Sequence, residues 1–171
     1  MRVVGGPWRR YELVTSERRP VTGPALASLR VPVDGRRATG ALGERLAEAH
    51  LVSTGYRVLE RRARTRYGEL DIVTVGHGCL VFCEVRARVA AGRSPSRGAS
   101  DPGGPLESIG PQKQRRLRRL AREWLTSRCM SAAADEGGWP AGVERLRFDA
   151  IGVIVARDGT LLDLEHVEDA F

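Results

Sequence analysis

Gly68-Glu69-Leu70-Asp71-Ile72-Val73-Thr74-Val75, then Gly76-His77-Gly78, then Cys79-Leu80-Val81-Phe82-Cys83-Glu84-Val85-Arg86-Ala87-Arg88: two apolar runs around a glycine turn read as an antiparallel hairpin. Side chains alternate between the faces of a strand, so Glu69 and Asp71 share a side, as do Glu84 and Arg86. Their neighbours are residue types that are usually buried. Carboxylates in such a setting need a cation, a proton or a metal. Acids from two adjacent strands, with a base beside them, suit a hard divalent ion.

Upstream, Tyr56-Arg57-Val58-Leu59 reads as a short strand, and Arg61, Arg62, Arg64 and Arg66 as a basic loop entering the hairpin. Phosphate contacts from such a run position a nucleic-acid backbone without reading sequence. Before it, the pattern predicts a helix from a Thr39 cap to about Thr54, with Gly55 as its stop. Glu44, Ala47, Glu48 and Leu51 form one stripe beside an apolar one of Leu42, Leu46 and Ala49, which puts Glu44 at the border of the packed face. A solvated first-turn glutamate and a metal-site glutamate fit that position equally well. Residues 1–38 are broken by Gly and Pro and read as a disordered or loosely attached extension of a domain spanning 39–171.

Downstream, the stretch near 89–108 is rich in Gly, Ser, Pro and Arg and reads as a flexible loop. Pro111 opens a helix whose Leu117, Leu120, Ala121, Trp124 and Leu125 make an amphipathic stripe. Arg115, Arg118, Arg119 and Arg122 lie on its other side, while Lys113 stands on the apolar stripe and points toward the sheet. A small-residue linker leads to a strand at 146–155, an Asp158-Gly159 turn and a last strand at 161–164. Helix, strand, hairpin, helix and two strands make an α/β fold on a mixed sheet.

Lys plus Arg number 28 against 21 Asp plus Glu, a net charge of +7 that favours a polyanionic partner, nucleic acid before membrane. Three cysteines with no signal peptide fit the reducing cytoplasm. Cys79 and Cys83 share a strand face roughly 13 Å apart, too far for one zinc, and read as small core residues. No apolar run is long enough to span a membrane.

Gly43-Glu44, Gly55-Tyr56, Gly68-Glu69-Leu70-Asp71-Ile72-Val73, Val81-Phe82-x-Glu84-Val85-Arg86-x-Arg88, Lys113, Arg147-Phe148-Asp149 and Glu165-His166 through Ala170-Phe171, taken in order, resemble the YraN family. These bacterial nuclease-like proteins are similar to archaeal Holliday-junction resolvases. The resemblance covers roughly residues 38–171 and implies a restriction-endonuclease-like mixed β-sheet flanked by helices, of the PD-(D/E)XK superfamily. It further implies that Asp71 and Glu84 hold Mg²⁺ or Mn²⁺ beside the scissile phosphate, assisted by Glu44. Arg86 stands where the motif has a lysine; it keeps the charge but cannot release a proton. Lys113 is a candidate for the missing amine.

The expected function is metal-dependent endonuclease action on structured or branched DNA, with Asp71, Glu84, Arg86 and Glu44 as the catalytic set. Arg61, Arg62, Arg64, Arg66, Lys113, Arg115, Arg118, Arg119 and Arg122 are the expected nucleic-acid contacts. The alternatives are a binding module that kept the fold and lost the chemistry, and an interaction protein whose acids merely pair with arginines. The expected partner is DNA, not a membrane, and a homodimer is compatible with the sequence.

Overall fold

Hydrogen-bonded pairing along the predicted hairpin organises the rest of the chain. The computed structural model describes residues 18–20, 35–90, 106, 109–132 and 142–171. Most of the 1–38 extension and of the 89–108 loop lies outside those residues. The elements are β1 (Arg18–Pro20), α1 (Gly35–Ser53), β2 (Arg57–Thr65), β3 (Gly68–Gly76), β4 (Cys79–Val89), α2 (Pro111–Ala132), β5 (Arg145–Val155) and β6 (Leu161–Val167). Five strands form a mixed α/β sheet in the order β6-β5-β4-β3-β2, and the three residues of β1 extend it beyond β6. Among the described strands only β4 and β5 are parallel, paired from Cys79↔Arg145 to Val89↔Val155. That leaves room for α2 as the crossover between them.

Each face of the sheet carries one helix. α1 packs Leu42, Leu46, Ala47 and Leu51 on Ile72, Val81, Cys83, Ile151 and Val153. α2 packs Leu117, Leu120, Ala121 and Trp124 on Leu70, Val73, Leu80 and Phe82. Cys79 and Cys83 are buried free thiols in the first of these layers. α1 approaches β4 so closely that a Cβ at Gly43 would collide with that of Ala87.

Two expectations are corrected. Thr39 does not cap α1, which begins at Gly35. Its hydroxyl donates instead to the Gly35 carbonyl at 3.0 Å, the back-bonding a helical threonine makes when it cannot face water. The basic run is not a loop, since β2 continues through it to Thr65. Arginines suit an edge strand, where charge blocks further pairing. Gly55 does end α1: at φ 92° it lets its own N–H reach Val52 O and the Tyr56 N–H reach Leu51 O, which satisfies the last carbonyls.

Candidate metal and phosphate site

Cross-strand register builds the site. The β3–β4 ladder runs from Gly76↔Cys79 to Ile72↔Cys83, and the next positions along it are Asp71 and Glu84. There the ladder gives way to a side chain: Asp71 Oδ2 accepts the Val85 N–H at 2.8 Å. On the other side of β3, Arg61↔Ile72 and Ala63↔Leu70 are paired, which puts Arg62 across from Asp71. Arg62 has a left-handed φ of 49° inside a strand. Strict alternation would bury Leu70 and Ile72 on one face, yet Leu70 packs toward α2 and Ile72 toward α1. The expected alternation therefore fails at Asp71, because an irregularity of this kind turns the strand and re-aims its side chains.

Glu84 lies on the α2 face, 3% exposed, between two cations. Lys113 Nζ stands 2.9 Å from Oε1, and Arg86 Nε stands 3.3 Å from the same oxygen. Oε2 is buried and has no hydrogen-bond partner among the described residues. A buried carboxylate oxygen left bare is costly unless something absent here completes it. Burial, and then the Glu84 charge, push the half-buried Asp71 carboxyl up to about 7. The Val85 N–H and Lys113 pull it the other way, and Glu44 adds to the rise. Like charges this close favour a shared proton or cation.

Glu44 stands at the edge of this group and is held by Arg62, Nε to Oε2 at 3.0 Å. Arg62 also faces Glu69 at 3.6 Å. Among the described residues no three His, Cys, Asp or Glu side chains enclose a metal by themselves. Mg²⁺ needs only one or two carboxylates, completing its shell with water and phosphate oxygens.

The expected phosphate-binding arginines fall into separate groups. Arg61 turns to α1, donating from Nε to Glu48 at 2.6 Å, and is closed by a second bond from the same guanidinium. Arg64 is 89% exposed beside Glu69. Arg66 turns to α2, pairs with Glu123 at 3.1 Å and lies over the Tyr67 ring. Arg119 covers the same ring at 3.3 Å, and Arg118 lies over Phe171. Arg115, Arg118, Arg119 and Arg122 are all exposed on α2. Gly68 accepts the Arg116 side chain against its backbone, docking the β2–β3 turn on this basic face. Arg66 and the α2 arginines thus belong to one surface, while Arg61 and Arg62 are engaged by α1 and Arg64 shares Glu69 with Arg62.

This register lies inside a stretch shared with known proteins. The pattern of the Uncharacterised protein family UPF0102 matches residues 43–153. The chain belongs to that family. A UPF0102 protein of Mycobacterium sp. (strain KMS) is 45% identical over 127 residues, 73% of this chain and 79% of the relative. Those of Rhodococcus jostii and Acidothermus cellulolyticus are 37% and 39% identical, over 78% and 80% of this chain and 96% and 95% of the relatives. This is the YraN family, so the resemblance read from the residues is the right one.

One feature of the UPF0102 chain escaped the sequence reading. Arg147 holds the fully buried Asp149 by two bonds at 2.8 Å, and also engages Tyr56 and Glu168. His166 Nε2 reaches Asp149 at 2.8 Å, and His166 Nδ1 meets His50 Nε2 at 3.1 Å. Asp149 also accepts the Asp169 N–H at 3.0 Å, which ties the C-terminal turn to β5. His50 stands four residues after Leu46 on the buried stripe of α1; that spacing was the available signal.

Proposed function

We propose that this UPF0102 chain is a divalent-metal-dependent endonuclease that hydrolyses phosphodiesters of structured or branched DNA. The observation that carries the reading is the bare, buried Glu84 Oε2 beside the raised Asp71 carboxyl. Two hard carboxylates, one with a bare oxygen, fit Mg²⁺ or Mn²⁺, held by Asp71 and Glu84. Bound there, the ion would activate water and offset charge on the phosphate. Lys113 and Arg86 bring positive charge to the same carboxylate. Lys113 offers a compact amine able to orient water, and Arg86 a planar fork able to clamp a phosphate. The arginines of α2 and the β2–β3 turn offer a backbone-binding surface for DNA.

The pairing of Glu84 with Lys113 and Arg86 uses Oε1 alone and leaves Oε2 free for a cation. The test is incubation of the full chain with branched and linear DNA, with and without Mg²⁺ or Mn²⁺. Cleavage that needs the metal and disappears in Asp71→Ala and Glu84→Ala supports the reading. Salt-sensitive binding with no cleavage under any divalent ion leaves a binding module of the same fold.

A further inference from the structure

Three described non-glycine residues have left-handed φ: His77 and Asp169 lie in turns, but Arg62, at 49°, lies inside a strand. Arginine rarely adopts this backbone, and such strain persists only where the surroundings hold it. The ladder pairs on either side, Arg61↔Ile72 and Ala63↔Leu70, hold the backbone, and the side chain they aim meets acids. Nε is 3.0 Å from Glu44 Oε2 and 3.6 Å from Glu69 Oε1, and Nη2 is 3.4 Å from Glu44 Oε1. Its position across from Asp71 puts this ion pair at the edge of the carboxylate group. The Arg62 side chain is 51% exposed, so its guanidinium can change partner without unfolding anything.

We propose that Arg62 is a displaceable counterion: it neutralises Glu44 while no phosphodiester is bound, and exchanges Glu44 for a phosphate oxygen when one arrives. A guanidinium pairs bidentately with phosphate, whereas its half-exposed pair with Glu44 is a weak one. Glu44, released, becomes available to the cation beside Asp71. Substrate and cation thereby favour each other's binding, and neither is held firmly alone. This inference rests on the endonuclease reading of the same site.

The test uses the full chain and two readouts that need no turnover. One is Mn²⁺ affinity without DNA, by titration calorimetry; the other is binding of a short oligonucleotide in metal-free buffer. Arg62→Gly is the main variant, since glycine accepts this φ freely and only the guanidinium is lost. Arg62→Asn, which also tolerates the left-handed region, is the second. Both should bind Mn²⁺ roughly three- to fivefold more tightly than wild type, the scale of one exposed ion pair. Both should bind the oligonucleotide more weakly, and adding Glu44→Gln should cancel the Mn²⁺ gain. Unchanged or weaker Mn²⁺ binding in both variants, or a gain that survives Glu44→Gln, overturns the counterion role. If wild type binds no Mn²⁺, or binds it undiminished in Asp71→Ala, the endonuclease reading fails and takes this inference with it. Asp71-dependent binding that ignores Arg62 overturns the counterion role alone.

Discussion

Lys113, in the first turn of α2, meets Glu84 of β4 with 2.9 Å between Nζ and Oε1, on the oxygen that Arg86 also approaches. An amine thus reaches Glu84 from a helix, beside Arg86 on the strand. If it orients the attacking water, Lys113→Ala should lower metal-dependent cleavage by about a hundredfold. Arg86→Lys should restore part of that loss in the double variant, because it returns an ammonium to the same carboxylate. Rates on one DNA substrate decide it: full activity in Lys113→Ala would remove the lysine from the chemistry.

The Asp71 carboxyl, raised by burial and Glu84 from 3.8 to about 7, links metal, pH and stability. Its folded-state pKa lies above its unfolded one, so the folded chain binds more protons across that window. Its contribution to stability is present at low pH and is lost as pH rises through about 7. In metal-free buffer at about pH 8, Asp71→Asn should therefore melt higher than wild type. Mn²⁺ affinity of wild type should rise with pH up to the Asp71 pKa and then level off. Thermal melts and calorimetric titrations across pH check both, and a pH-independent affinity would contradict the link.

His50 has the opposite sign. Burial, then His166, push its imidazole from 6.5 down to about 4. The unfolded chain binds the extra proton, so stability is full above 6.5 and falls as pH drops toward 4. The loss is on the order of 2–3 kcal/mol. His50→Gln should flatten that part of the profile, as measured by urea unfolding at stepped pH. An unaltered slope would assign the acid sensitivity to another group.

DNA binding should weaken steeply with salt, and the variants should not be equivalent. Arg66→Ala and Arg119→Ala, on the surface shared by α2 and the β2–β3 turn, should each reduce the salt slope by about 1. Arg61→Ala should change it far less, because Glu48 holds that guanidinium against α1 and not on the α2 surface. Equal slopes for all three would dissolve the distinction between the groups.

Local pattern alone determined much of this. The glycine turn at Gly76–Gly78, the stripe on α2, the Gly55 stop and the inward direction of Lys113 follow from periodicity and backbone preference, which act within a few residues. That Asp71 and Glu84 come next along the β3–β4 ladder followed from hairpin register, since one turn and two apolar runs leave little choice of partners. Tertiary structure decided what depends on distant neighbours. Thr39 lost its role as a cap because α1 extends to Gly35. The arginine run became an edge strand because β3 offered it a ladder. The left-handed Arg62 meets Glu44 and Glu69 from elsewhere in the chain, and the Asp149 network joins α1, β5 and β6. No local propensity encodes such contacts: residues far apart in sequence meet only when the sheet assembles, and burial then sets the charge each can carry.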